Sequence, residues 1–149
     1  MILELLSTIS AGLFAGAAVY ISLVEHPARI ECGAALARTE FGESYRRGAR
    51  LMGILLMVGL LTAASVWARG SSAWWLVGGV LLLSLIPYTL ALIFPVNKRL
   101  LDTSDDVDPD QTRVLLVRWG RLHAVRSLFG IAAFLIFMSL LLSGASARP

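Results

Sequence analysis

The chain contains two histidines, His26 and His123, and each stands where a long apolar run meets polar residues: "SLVEHPAR" at 22–29 and "WGRLHAVR" at 119–126. Imidazole is the side chain that exchanges a proton near neutral pH, and it is also a common metal ligand. Trp119, His123 and Arg126 are spaced i, i+4 and i+7, which places them on one stripe of a helix. Asn97, in "FPVNK", follows another apolar run. With Glu25 and Tyr45 as neighbours, the candidate cluster is His26, Asn97, Trp119, His123 and Arg126.

Metal ligation is the first chemistry to weigh. His26, His123 and Glu25 would supply the three protein ligands usual at a catalytic zinc centre. Glu25 and His26 are adjacent, however, and point about 100° apart on a helix. No HExxH or CxxC spacing supports chelation, so the metal reading is the minor one. The aspartate-rich "DTSDDVDPDQ" lacks the glycine and terminal glutamate of an EF-hand loop and reads as a solvated turn. Nucleotide-binding glycine loops are absent. Each cluster member also has a simpler role: Arg126 as a snorkelling cation, Trp119 as an interface residue, Asn97 as a helix-end cap.

The elements that must position these residues are read from hydropathy. The chain has 149 residues, 57% hydrophobic and 15% charged, against about 25% charged for a soluble domain. Uncharged stretches separate Glu4 from Glu25, Arg50 from Arg69, Arg69 from Lys98 and Arg126 from Arg148. Each reaches the ~18 residues of a candidate membrane span. The reading is an all-α integral membrane domain, a four-helix bundle running up-down-up-down, with spans near 2–24, 51–68, 73–95 and 126–143. The first span has no basic start and is too long for a signal core. Cys32, the single cysteine, cannot close an internal disulfide. The net charge of +3 gives no reason to expect nucleic acid, because the basic residues flank the spans.

The connections divide into one tight hairpin, "RGSS" at 69–72, and two long loops. Five Lys or Arg residues fall between Pro27 and Arg50, five between Val96 and Arg121, and one in the hairpin. Positive residues stay cytoplasmic, so both long loops are expected inside and both termini outside. Trp67, Trp74 and Trp75 suit the opposite interface. "ALARTEFGESYRRGARLM" reads as a short amphipathic helix in the first loop, with Arg46, Arg47 and Arg50 near the headgroups. Asp108, Pro109 and Gln111 form a helix start, from which a fourth helix runs to Ser143 and projects into the cytoplasm. Gly12 and Gly16 allow close helix approach, more readily within the bundle than between copies. In this topology the ends of spans one and three and the entry to span four share one end of the molecule, with Pro27 turning the chain away after His26.

Three stretches carry a family resemblance: "GLFAGAAVYISLVEHPAR", "FPVNKRL" and "WGRLHAVRS". In order and spacing across nearly the whole chain, the sequence resembles the anthrone oxygenase-like family of small four-span membrane proteins. That resemblance implies oxidation of a planar, lipophilic phenol or anthrone by dioxygen, without a dedicated organic cofactor. It marks His26, Pro27, Asn97, Trp119, His123 and Arg126 as the family's polar positions. On this footing His26 or His123 is the base, Asn97 and Arg126 stabilise the oxyanion, and Trp119 stacks on the substrate, with Tyr45 beside it. The implied setting is a bacterial inner membrane, with lipid and a small lipophilic molecule as partners. The alternative is a non-enzymatic membrane subunit or lipophilic-ligand carrier, acting as a homo-oligomer or beside a partner chain.

Overall fold

A computed structural model describes residues 1–102 and 108–144, and every regular element in them is helical. The first rod joins α1 (Ile2–Tyr20) to α2 (His26–Glu31) through a π-helical turn, Ile21–Glu25. There the His26 N–H reaches back five residues to the Ile21 carbonyl. Pro27 follows at once. Proline has no N–H to give and its ring crowds the carbonyl four residues back; the widened turn accommodates both demands. The third rod repeats the device: α4 (Trp74–Tyr88) passes through a π turn, Thr89–Ile93, into α5 (Phe94–Leu100). The Phe94 N–H bonds the Thr89 carbonyl immediately before Pro95. Pro27 therefore does not turn the chain away, as its helix-breaking chemistry led us to expect. The helix runs on to Glu31, and the chain reverses only at Gly33, whose φ of 86° suits glycine.

The amphipathic stretch of the first loop is helical, but it is continuous with the second span: α3 covers Ala34–Ala68 without a break. Its glycines lower helix propensity by about 1 kcal/mol each relative to alanine, too little to end a helix with good residues on either side. The last helix, α6, covers Pro109–Leu142. The Asp108 side chain accepts from the Asp110 N–H at 2.9 Å, capping a start with Pro109 in the first turn. At 1.5 Å per residue α6 is about 51 Å long and exceeds the ~30 Å hydrocarbon layer. The centre of the aspartate-rich turn (103–107) and Arg148 lie outside the described residues.

The four rods form a closed ring: α1 packs on α3, α3 on α4, α4 on α6, and α6 back on α1. Two apolar cores divide the bundle lengthwise. One, around Phe14, Trp75, Leu82 and Phe137, fills the half nearer the hairpin. The other, around Phe41, Ile93, Leu116 and Trp119, lies at the histidine end. Gly12 packs against Phe134 of α6, whose ring would lie 2.9 Å from an added Cβ, so it serves contact inside the bundle, whereas Gly16 is exposed with nothing within 4 Å of an added Cβ. Outward, Leu13, Leu23, Ile54, Leu61, Leu128 and Leu135 are exposed. An apolar exterior around long apolar helices makes this an integral membrane protein with four helices able to cross the bilayer.

Candidate functional site

Trp119 is the hub of the histidine end. Its indole N–H donates to Asn97 Oδ1 at 2.7 Å. His123 stacks on the indole at 4.6 Å and 18°, His26 lies against it at 4.9 Å, and Phe41 meets it edge-on at 5.4 Å. The topology thus brings His26, Asn97, Trp119 and His123 together, as the sequence led us to expect. Trp119 is only 6% exposed. Its ring is engaged largely with the protein, which makes it a holder of neighbouring groups more than a platform for substrate.

His26 is fixed at both ring nitrogens. Nε2 lies 2.9 Å from the Leu116 carbonyl, which can only accept, so this nitrogen carries the proton. Nδ1 then accepts from Arg29 Nη1 at 3.4 Å. Gly120 makes the approach feasible, since a Cβ there would sit 2.7 Å from His26 Cδ2 and Nε2. Arg29, which the sequence reading passed over, is buried between the carboxylates of Glu25 and Glu40 and also donates to Ser44 at 2.9 Å. Its guanidinium lies over Phe41 and Trp119. Glu25 is thus the ion-pair partner of Arg29, and His26, His123 and Glu25 do not converge as a ligand set. Among the described residues no three His, Cys, Asp or Glu side chains are grouped to hold a metal.

His123 is held from the other side. Its Nδ1 lies 3.0 Å from Ser22 Oγ, and Ser22 Oγ is 3.0 Å from Ser127 Oγ. Both serines were missed in the sequence. The available signals were helical spacing, Ser127 at i+4 from His123 and Ser22 four before His26. The π turn carries Ser22 and so sets its direction toward α6.

A cavity of about 260 Å³ opens beside this cluster, between α3 and the α4–α5 rod. Glu25, Tyr45, Asn97, Trp119, His123 and Arg126 border it, together with mostly apolar side chains, whereas His26, packed against Trp119, is not among the bordering residues. Asn97 is 1% exposed, and its Nδ2 has no hydrogen-bond partner among the described residues. The Nε of Arg126 is likewise buried and unpartnered; its guanidinium lies 5.1 Å over the Phe14 ring, with no carboxylate paired to it among the described residues. A buried donor left unmet costs about 1–3 kcal/mol. Both side chains border the apolar cavity, with these two donor atoms buried in its wall. On one side, between α3 and the Thr89–Ile93 turn, the cavity has a slot whose bordering residues Met57 and Leu90 are exposed. Gly48 and Gly53, where an added Cβ would meet nothing within 4 Å, lie on its α3 edge.

A four-helix membrane protein that gathers an imidazole, an amide and a guanidinium at one apolar cavity is thus the class that fold and site define. The chain belongs to the anthrone oxygenase family, whose model, described as "Anthrone oxygenase", matches residues 41–136. It is 26% identical over 139 residues to "Anthrone oxygenase tpcL" of Aspergillus fumigatus, covering 87% of this chain and 86% of that protein. It is also 26% identical over 152 residues to "Noranthrone monooxygenase" of Aspergillus flavus, covering 91% and 71%. No solved structure matches the chain.

Proposed function

We propose that this protein oxygenates a planar, lipophilic phenol or anthrone with dioxygen, using His123 as the base. The observation that carries this reading is the chemistry left unmet at the cavity: two buried donors, Asn97 Nδ2 and Arg126 Nε, beside the His123 imidazole. Such a set suits a molecule with acceptor oxygens and one acidic hydrogen. His123 borders the cavity, while His26 has both nitrogens committed elsewhere. These contacts favour His123 over His26 as the base.

With anthrone as the example, His123 removes a methylene proton and the charge spreads onto the carbonyl oxygen, where Arg126 and Asn97 stabilise it as preorganised donors. The carbanion passes its electrons to dioxygen and forms a C–O bond. The protonated His123 returns its proton to the terminal peroxide oxygen. Loss of water from this hydroperoxide, taking the second methylene hydrogen and the terminal hydroxyl, leaves the new carbonyl. One anthrone and one dioxygen give one anthraquinone and one water. The slot between α3 and the Thr89–Ile93 turn offers a path from the bilayer for a substrate of low water solubility.

The test is oxygen uptake with anthrone by the full chain in lipid nanodiscs, above the rate in protein-free nanodiscs. His123→Gln should lower kcat by about 10²–10⁴-fold, and Arg126→Met by about 10²–10³-fold. Wild-type turnover in His123→Gln would end the base assignment. Tight anthrone binding without oxygen uptake would instead assign the cavity to carrying a lipophilic molecule.

A further inference from the structure

The two serines missed in the sequence form a directed chain with His123. Ser127 Oγ lies 3.0 Å from the Ala18 carbonyl and 3.2 Å from the His123 carbonyl. Carbonyl oxygens only accept, so the single proton of Ser127 is used there. The bond between the two hydroxyls, 3.0 Å long, must then be donated by Ser22. With its own proton spent, Ser22 can only accept from His123 Nδ1 at 3.0 Å. The opposite polarity would set lone pairs of Ser127 and Ala18 against each other at 3.0 Å.

We propose that Ser22 and Ser127 are positioning residues that fix the tautomer of His123, with the proton on Nδ1 and the lone pair on Nε2. The nitrogen without a protein hydrogen bond among the described residues is that Nε2, and the ring borders the cavity. The relay thereby presents the imidazole as an acceptor for a substrate proton, as second-sphere partners commonly orient a working histidine. His26 is held in the opposite tautomer, protonated on Nε2 by its bond to the Leu116 carbonyl. One buried imidazole is thus set to accept and the other to donate: His26 by a carbonyl that can only accept, His123 by the polarity of the serine relay. The tautomer assignment stands on this geometry; its catalytic consequence rests on His123 being the base.

The test is long-range ¹H–¹⁵N correlation NMR of the full chain, ¹⁵N-labelled at histidine, in nanodiscs. A protonated ring nitrogen and a lone-pair nitrogen resonate far apart, and only two imidazoles are present. The wild type should show one of each tautomer. Ser127→Ala frees the Ser22 proton to bond Nδ1, so His123 should convert to the Nε2–H form while His26 stays unchanged as an internal control. Ser127→Thr keeps a hydroxyl and should retain the wild-type pattern. In the turnover assay Ser127→Ala should lose at least about tenfold in kcat with KM little changed, and Ser127→Thr should recover most of it. Two Nε2–H imidazoles in the wild type would overturn the proposal even if no variant folded, and so would an unmoved His123 in Ser127→Ala. A flipped tautomer with undiminished turnover would uphold the relay and refute His123 as the base.

Discussion

At the scale of single residues, the site depends on Trp119 and on the absence of a side chain at position 120. Trp119→Phe would keep the ring contacts with His123 and Phe41 but remove the donor to Asn97 Oδ1, a bond of 2.7 Å. The acceptor would be left buried and unmet, so stability should fall by about 1–3 kcal/mol, measured as a lower unfolding midpoint in detergent. Gly120→Ala acts differently. Its methyl would meet the His26 ring at 2.7 Å and push it from the Leu116 carbonyl. A cost of about 1–3 kcal/mol for overpacking should come with loss of the protonated Nε2 signal of His26. Retention of that signal in Gly120→Ala would show that the imidazole can shift without losing its bond.

At the scale of elements, the two π turns decide which side chains reach α6. Each puts an extra residue into a helical turn directly before a proline, and each is followed within a turn by a cluster residue, His26 or Asn97. Such single-turn widenings are frequent at functional sites. Pro95→Ala restores an N–H able to bond the carbonyl four residues back, and the turn should tighten to α. Asn97 would then swing by about 100° away from Trp119. The expected outcome is unchanged helix content by circular dichroism with loss of anthrone turnover. Full turnover would mean that packing, not proline, maintains the widened turn. The slot gives a second prediction: Gly53→Phe should raise KM for anthrone severalfold with little change in unfolding midpoint, because an added side chain there finds open space. These elements also mark where sequence reading succeeds and stops. The stripe Trp119–His123–Arg126 was legible because α6 is regular and its period is fixed. The π turns were not, since proline in a hydrophobic run reads as a break and nothing local signals a five-residue turn. Ser22 and Ser127 stayed hidden for a related reason: a serine in an apolar helix usually bonds its own backbone, and only tertiary structure shows a longer chain of hydroxyls.

At the scale of the whole molecule, the four apolar stretches could be read from charge spacing alone, and so could the meeting of three helix ends at one side. Orientation in the bilayer is an expectation from the ten Lys and Arg residues of the two long loops. Cys32 provides its own reporter, being the single cysteine and exposed at the histidine end. A membrane-impermeant maleimide should label it in inverted vesicles and not in intact cells; labelling in intact cells would reverse the orientation. The slot beside the π turn has a further consequence for supply. Dioxygen dissolves more readily in hydrocarbon than in water, so an opening onto acyl chains taps the richer reservoir of the gas. Both reactants would then arrive by partition through one fissure, and the rate would follow the oxygen content of the bilayer rather than that of the aqueous phase.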